Sequence, residues 1–357
     1  MLATAALADG KGSYFIDQVL IGDPGPGEVQ IAIKASGVCH TDYKILKRQP
    51  VLIMGHEGAG VVLQAGLGVV DLNPGDKVLL NWAMPCGSCY NCNHGLQNVC
   101  ESKPVIPEGR FLYQGKPIGT SFGLGTMSTV TVVPRAAVIP IDVEIPFTSA
   151  CTLGCCVMTG YGSVHNVARV PAGASVAVLG AGAVGICTIQ AARIAKAAKI
   201  IAVDVNKAKL KLAERFGATH TVLAAKSDKG LLKAAQKVKA LTEGRGADFA
   251  FECTSIPALG AAPLAMVRNG GTAVQISGIE EKVKIDMELF EWDKIYINPL
   301  YGKCDPQRDF PTLLSLYAQQ QLQLDDMVTG VFKLRDLPKA FEAMHKGTNA
   351  KNVLVME

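Results

Sequence analysis

Four cysteines follow one another at a spacing that suits a metal ion, Cys86-x2-Cys89-x2-Cys92-x7-Cys100. Four thiolates at this spacing can surround zinc tetrahedrally, with Zn–S distances of about 2.3 Å. An all-cysteine site leaves no open position, so it would be structural and not catalytic. Two disulfides and an iron–sulfur cluster are the competing interpretations. Disulfides are disfavoured in a cytoplasmic chain, whereas the spacing by itself leaves a cluster open.

A second set of reactive side chains is scattered along the chain. Cys39–Asp42 places cysteine, histidine, hydroxyl and carboxylate side by side, and His56 and Glu57 form a pair among glycines. Each group offers metal ligands or proton-transfer groups. Taken singly, the cysteine also fits a buried structural residue and the histidine fits a satisfied core side chain.

A glycine-rich turn follows the apolar run Val176–Leu179 and precedes an apolar helix. Gly180, Gly182 and Gly185 form G-x-G-x-x-G with Val184 inside it, a pattern that favours a tight turn, backbone approach to a pyrophosphate and close helix packing. The helix start would offer its N–H groups and positive dipole end to phosphates. A glycine turn that binds nothing is the alternative interpretation.

An acidic residue supports the nucleotide interpretation. Lys199–Val203 is predicted to be the next strand, and Asp204 ends it. A carboxylate at this point can accept hydrogen bonds from an adenosine ribose and would repel a 2′-phosphate, so NAD is favoured over NADP.

The composition is that of a compact chain with two domains. It has 357 residues, of which 49% are hydrophobic and 18% charged, and its net charge is +4. No long basic run indicates nucleic-acid binding, and no 18-residue apolar stretch predicts a membrane span. The N-terminus does not resemble a signal peptide, so a cytoplasmic location is expected, where cysteines favour metal over disulfides.

The pattern of elements changes along the chain. Residues 1–35 favour paired strands, and 101–125 a long irregular surface loop. From Ser175 strands and helices alternate, which predicts a doubly wound parallel α/β sheet. The predicted strands are Val176–Leu179, Lys199–Val203, His220–Leu223, Asp248–Glu252, Thr272–Ser277 and Lys294–Ile297. The predicted helices are Val184–Ala195, Asn206–Phe216, Lys229–Leu241, Ile256–Met266 and Met287–Glu291, then Phe310–Gln320 and Leu337–Lys346 before a last strand, Asn352–Val355.

Together these motifs resemble the zinc-containing medium-chain alcohol dehydrogenases essentially from end to end. The residues that carry the resemblance are GVCHTD at 37–42, GHE at 55–57, the four-cysteine loop, GCCVMTGYG at 154–162, GAGAVG at 180–185 and DVNKAK at 204–209. The resemblance implies a Rossmann-type doubly wound sheet at 157–300. It also implies a mainly β, GroES-like catalytic domain at 1–156 and 301–357.

The resemblance implies two zinc ions per chain. A catalytic zinc would be bound by three residues, Cys39, His56 and Cys155, and its fourth position would be open to water or alcohol. Asp42 would accept the remaining N–H of His56, and Glu57 would approach the metal from behind. Thr41 matches the hydroxyl that takes the alcohol's proton.

The cofactor implied is NAD. Asp204 and Lys209 match adenosine-ribose contacts, and His40 and Lys351 match positions that face the pyrophosphate. The pocket for the alcohol's side chain would be lined by Thr41, Trp82 and Ile279. The family forms dimers and tetramers through the edge of the cofactor-domain sheet, here around Thr272–Ile297, so a homodimer or homotetramer is expected.

Departures from relatives bear on the substrate. Lys44 stands where many relatives complete a proton relay with histidine. Glutathione-dependent formaldehyde dehydrogenases carry an arginine where this chain has Pro104, although Lys103 or Arg110 could substitute. Sorbitol-type relatives usually carry glutamate where this chain has Cys155, so the cysteine argues against a polyol substrate. The sequence thus predicts reversible oxidation of an apolar primary alcohol, aromatic or allylic, to the aldehyde. The alternatives are a glutathione-dependent formaldehyde dehydrogenase, a formaldehyde dismutase-like enzyme and a non-catalytic relative of the fold.

Overall fold

The computed structural model describes residues 1–46, 51–279, 281–347 and 349–357. The chain forms two compact units. The first comprises Met1–Cys155 and Asp305–Glu357, and the second Cys156–Cys304. The domain boundaries that the resemblance implies, at 156 and 301, stay a prediction.

The first unit is mainly β-structure. Its strands are β1 Leu2–Ala8, β2 Tyr14–Ile21, β3 Glu28–Gly37, β4 Leu52–Ile53, β5 Gly58–Ala65, β6 Lys77–Leu80, β7 Phe111–Tyr113, β8 Lys116–Pro117, β9 Gly119–Thr120, β10 Val130–Pro134 and β11 Val138–Pro140, joined near the C-terminus by β18 Val328–Lys333 and β19 Lys351–Val355. Within the described ranges they form one sheet in the order β8-β7-β2-β1-β4-β9 and a second in the order β11-β6-β5-β3-β19-β18, with β10 also paired to β3. The C-terminal tail therefore completes the N-terminal unit, as the sequence predicts.

The helices of this unit range from 4 to 13 residues. They are α1 His40–Ile45, α2 Tyr90–Asn93, α3 Phe147–Thr152, α9 Pro306–Ala318 and α10 Leu337–Lys346. The amphipathic helix α10 buries Leu337, Ala340 and Phe341 in a core cluster that also contains Val38 and Met54. This spacing of three to four residues is the pattern of a helix with one apolar face.

The second unit is a parallel sheet with crossover helices, which confirms the predicted fold class. Its elements are α4 Met158–Gly162, β12 Ser175–Leu179, α5 Ala183–Ile194, β13 Lys199–Asp204, α6 Lys207–Arg215, β14 His220–Leu223, α7 Leu232–Leu241, β15 Ala247–Glu252, α8 Ala262–Met266, β16 Val267–Gln275 and β17 Ile295–Ile297. The strand order is β14-β13-β12-β15-β16-β17. Residues 176–179 of β12 and 200–203 of β13 are apolar and buried, as expected when helices cover both faces of a sheet.

The structure corrects several sequence predictions. Lys229–Leu241 is not one helix: a 3₁₀ turn at Lys229–Leu231, in which Gly230 and Leu231 have left-handed backbones, precedes α7. Ile256–Met266 is not one helix: a 3₁₀ turn at Pro257–Leu259 precedes α8, because Pro263 lacks the N–H that a continuous helix would bond to the Leu259 carbonyl. Met287–Glu291 is reduced to a single 3₁₀ turn at Met287–Phe290. The predicted loop at 101–125 contains the short strands β7, β8 and β9, and Phe111 is buried.

Among the described residues, none of the helices combines the length and the hydropathy that a bilayer crossing requires.

The contact between β3 and β5 makes Gly60 a test of this fold. A Cβ at Gly60 would lie 2.1 Å from the carbonyl oxygen of Ala32, and the paired backbone cannot yield easily. We expect Gly60→Ala to lower the free energy of unfolding by about 1–3 kcal/mol, measured as a lower Tm by calorimetry. Gly119→Ala is the matched control, because nothing lies within 4 Å of its added Cβ. Equal melting temperatures for the two variants would contradict the packing described.

Candidate metal and cofactor sites

The four cysteines of the first motif converge on one point. Cys86 Sγ lies 4.0 Å from Cys92 Sγ, and Cys89 Sγ lies 3.8 Å from Cys100 Sγ. Ligands 2.3 Å from a tetrahedral zinc are separated by about 3.8 Å, so the residues fit a single zinc ion. Each of the four is a free cysteine, at distances that exclude disulfides.

Backbone N–H groups near this site donate hydrogen bonds to the cysteine sulfur atoms. Cys86 Sγ accepts hydrogen bonds from the N–H groups of Ser88 and Cys89, and these lower the pKa of the Cys86 thiol to about 6. Cys89 Sγ accepts the N–H of Cys92 at the start of α2. Thiolates are the form that binds zinc, so the turn geometry favours the ligand state of Cys86, whereas burial raises the pKa of Cys92 to about 12.

A second cluster brings together Cys39, His56, Glu57 and Cys155, whose ligand atoms all lie within 4.8 Å of one another. Cys39 caps α1, the His56–Glu57 pair immediately precedes β5, and Cys155 lies in a π-helical turn, Leu153–Val157. Such turns often occur at functional sites. Two thiols and an imidazole are suitable zinc ligands, and a three-residue set leaves one position open.

Asp42 orients the histidine of this cluster. Its Oδ1 lies 2.9 Å from His56 Nδ1, and its Oδ2 accepts the N–H of Cys39 at 2.9 Å. The Nε2 atom of His56 is thereby left as the ligand atom. Burial lowers the pKa of His56, but the Asp42 carboxylate and the Cys39 side chain together outweigh burial and hold this pKa well above its usual range.

Glu57 is paired with a lysine from the other end of the chain. Lys351 Nζ lies 2.8 Å from Glu57 Oε1 and 2.6 Å from Oε2, and it also donates to the Val38 carbonyl. Glu57 is 0% and Lys351 4% exposed. Burial raises the pKa of Glu57, and the lysine opposes this rise. The resemblance implies a pyrophosphate contact for Lys351; the structure adds this buried ion pair, which sequence analysis missed.

The neighbours of Cys39 on α1 are more accessible. The His40 ring is exposed, with its centroid 6.2 Å from that of His345. Thr41 is half-buried in the first turn of the helix, between Cys39 and Asp42. Their roles toward pyrophosphate and substrate remain predictions.

One aromatic side chain contacts the second cluster, and a second aromatic side chain packs against the first. The ring centroid of Phe122 is 5.0 Å from that of His56 and 5.1 Å from that of Trp82. Phe122 has a left-handed backbone, with φ of 52°. Sequence analysis anticipated Trp82 but missed Phe122, because its segment was predicted to be a surface loop. A lone large aromatic among glycines is the one signal that would have drawn attention to it.

The glycine turn in the second unit fits a dinucleotide. A Cβ at Gly185 would lie 1.8 Å from the Gly180 carbonyl oxygen, so the helix packs against the turn only without a side chain. Gly182 caps α5 without a side-chain bond, and an added Cβ there would meet nothing within 4 Å. The first turn of α5, which contains Val184, is therefore open to a phosphate.

The other predicted site residues of this unit, Asp204, Lys209 and Ile279, lie at or after the ends of strands β13 and β16. Asp204 ends β13 and accepts the N–H groups of Ala181 and Asn206 at 2.8 and 2.9 Å, which ties it to the glycine turn. Lys209 lies in the first turn of α6. Ile279 follows β16, and its Cδ1 lies 2.9 Å from where a Cβ of Gly260 would stand. Contacts of these residues with ribose or substrate remain predictions.

Comparison with known proteins agrees with this geometry. The profile of the alcohol dehydrogenase GroES-like domain matches residues 25–143, and that of the zinc-binding dehydrogenase matches 183–319. An S-(hydroxymethyl)glutathione dehydrogenase of Escherichia coli O1:K1 is 34% identical over 99% of this chain and 98% of its own length.

Solved structures share the fold. An alcohol dehydrogenase zinc-binding domain protein from Burkholderia ambifaria aligns with a TM-score of 0.91 at 28% identity, covering 100% of this chain and 99% of its own. A benzyl alcohol dehydrogenase from Acinetobacter calcoaceticus has the same TM-score at 24% identity and covers both chains fully; this shows the fold alone.

A cofactor-type parallel sheet joined to a GroES-like unit with two zinc-type ligand clusters defines a zinc-dependent dehydrogenase. The chain belongs to the zinc-containing medium-chain alcohol dehydrogenase family. It is an oxidoreductase of the alcohol dehydrogenase type, and its ligand sets are consistent with two zinc ions.

Metal content can assign each cluster separately. We expect two zinc ions per wild-type chain and one in Cys92→Ser and in Cys155→Ser, because each substitution removes a thiolate ligand. Cys92→Ser should also lower Tm, whereas Cys155→Ser should chiefly abolish turnover. Elemental analysis measures the content. Cys156→Ser is the control, since this buried neighbour is outside both clusters. Loss of zinc from Cys156→Ser but not from Cys155→Ser would refute the assignment.

Proposed function

We propose that the enzyme oxidises a primary alcohol with an apolar, preferably aromatic, side chain to the aldehyde with NAD, reversibly. The observation that carries this proposal is the aromatic pair beside the metal cluster, Phe122 next to His56 and Trp82 next to Phe122. Aromatic side chains favour offset or edge-on contact with a second ring. A flat apolar group attached to the reacting carbon would find that surface beside Cys39, His56 and Cys155.

The chain's own residues would act on the substrate as follows. Cys39, His56 and Cys155 would hold zinc, whose contribution when bound is to lower the pKa of an alcohol as it does that of water. Thr41 would take the hydroxyl proton and pass it toward solvent. Asp42 fixes the imidazole orientation of His56. The net change is loss of one proton and one hydride from the alcohol.

The hydride acceptor would be NAD, held by the glycine turn. Asp204 supports NAD over NADP, because its carboxylate stands at the end of β13 and would repel a 2′-phosphate. The chemistry that NAD supplies when bound is acceptance of the hydride.

A glutathione adduct of formaldehyde is the second candidate substrate, favoured by the name of the 34% identical relative. Pro104 stands where such enzymes are expected to have arginine. Arg110 does not offer a substitute, because its guanidinium is paired with Glu28 at 2.9 Å and donates to the Asp23 carbonyl. Lys103 is the remaining cation, with Nζ 5.7 Å from the Trp82 ring centroid.

Steady-state kinetics with NAD distinguish these substrates. We expect kcat/KM for benzyl alcohol to exceed that for ethanol and for formaldehyde with glutathione, and chelation of zinc to abolish activity. Phe122→Ala should lower kcat/KM for benzyl alcohol by up to about tenfold, since an aromatic pair contributes about 0.5–1.5 kcal/mol, and should change ethanol turnover less. Lys103→Met is the control for an anionic substrate. Strict glutathione dependence, with a loss in Lys103→Met, would overturn the proposal in favour of the second candidate.

We further propose that copies of the chain associate through the edge of the parallel sheet. Strand β17 ends the strand order, and Ile295 on it is 56% exposed, with Trp292 just before it 80% exposed. An exposed apolar edge strand is a ready surface for another copy.

Light scattering after size exclusion tests this association. We expect a dimer or tetramer for the wild type and a smaller species for Ile295→Lys, because a charge would be desolvated in the contact. Val331→Lys, at a residue 54% exposed on β18, is the matched surface control and should not change the mass. A monomeric wild type, or an unchanged mass for Ile295→Lys, would refute the edge contact.

A further inference from the structure

A carboxylate is buried where β15 ends. Glu252 is 0% exposed, and among the described residues its partners are neutral groups. It accepts the N–H of Thr254 at 2.5 Å, the Thr254 hydroxyl and the Ser277 hydroxyl. Burying an ionised group is costly without strong hydrogen bonds. Glu252 therefore depends on two hydroxyls that lie on different loops.

Those bonds join the loop after β15 to the loop after β16. The Ser277 hydroxyl accepts the N–H of Ser255 at 3.1 Å, and its carbonyl accepts from Gln275 Nε2. Gln275 Oε1 in turn accepts from Tyr296 and Asn298. Ser255 has φ of 59°, a left-handed conformation that persists where surrounding bonds hold it.

This network lies at the point of the sheet where a dinucleotide is expected. In the order β14-β13-β12-β15-β16-β17, β12 and β15 are neighbours in space and are separated in sequence by β13 and β14. Ligands of doubly wound sheets bind outside the strand carboxyl ends at such a switch point. A Cβ at Gly180 would lie 2.9 Å from Thr254 Cγ2 and 3.2 Å from the Cys253 carbonyl carbon and oxygen. The loop after β15 thus touches the glycine turn.

We infer that Glu252 is a positioning residue for the cofactor. Through Thr254 and Ser277 it holds residues 253–256 and 276–279 in the arrangement that receives NAD beside the glycine turn. This inference rests on the proposed cofactor and does not depend on which alcohol is oxidised. It assigns a role to a buried carboxylate that lies outside both metal clusters.

The variant Glu252→Gln tests the inference. The amide replaces one accepting oxygen with a donor, which must then face either the Thr254 N–H or the Ser277 hydroxyl. We expect the Kd for NADH, measured by fluorescence titration of the zinc-loaded protein, to rise about tenfold. The KM for NAD should rise in parallel while kcat changes little. Hydrogen exchange should accelerate in residues 253–256 and 276–279, and both zinc ions should be retained.

Asp248→Asn is the matched control. Asp248 lies near the other end of β15 and accepts the N–H and hydroxyl of Ser175 at 2.8 and 2.7 Å, with Arg268 as its ion-pair partner. It is also a carboxylate held by a serine hydroxyl and a backbone amide, but away from the strand carboxyl ends. We expect this variant to lower Tm without changing the Kd for NADH.

The outcomes separate positioning from stability. A Glu252→Gln protein with lower Tm and an NADH Kd unchanged from wild type would overturn the inference. If that variant does not fold, Ser277→Ala, which removes one bond of the network, should still weaken NADH binding by a few-fold, and an unchanged Kd there is equally negative. Wild-type protein that binds no NADH would overturn the proposed cofactor together with this inference. Wild-type protein that binds NADH but oxidises no alcohol would overturn the substrate proposal alone.

Discussion

The ion pair between Lys351 and Glu57 is the constraint on which the first unit depends. Glu57 lies beside two thiols and an imidazole, and a carboxylate buried there needs a cation. Lys351 on β19 supplies that cation, and the pairing of β19 with β3 at Val353 and Gly37 brings the lysine to Glu57. The C-terminal strand therefore completes a sheet and also supplies the charge that pairs with the buried carboxylate.

In the second unit, neutral hydrogen-bond donors stabilise a buried carboxylate. Its buried carboxylate, Glu252, is held by hydroxyls and an amide in place of a lysine. Hydrogen bonds to an anion are directional, so they fix the geometry of the two loops as well as the charge. In both units the polar network lies at the end of a strand, where side chains can leave the apolar core and still be held by a rigid element.

The side chains around a metal cluster decide which substrates the site can accept, and the tertiary structure determines which side chains lie there. Phe122 contacts His56 from a segment whose prolines and glycines predict an irregular loop, and its own backbone is left-handed. Tertiary structure also removes a possibility that the sequence leaves open. With Pro104 in place of arginine, the sequence offers Lys103 or Arg110 as the cation for a glutathione carboxylate, and the pairing of Arg110 with Glu28 removes Arg110.

The sequence by itself determined the features that depend on local spacing. The Cys86–Cys100 ligands, the glycine turn before α5 and the parallel sheet were all predictable, because neighbouring residues share one turn or one strand. The break before α8 was misjudged, since the apolar pattern continues across Pro263. Only the tertiary structure decided that Lys351 meets Glu57, 294 residues away in the chain, that Phe122 contacts His56, and that Glu252 joins two loops. These contacts have no local pattern, because they arise when separate strands and loops pack together.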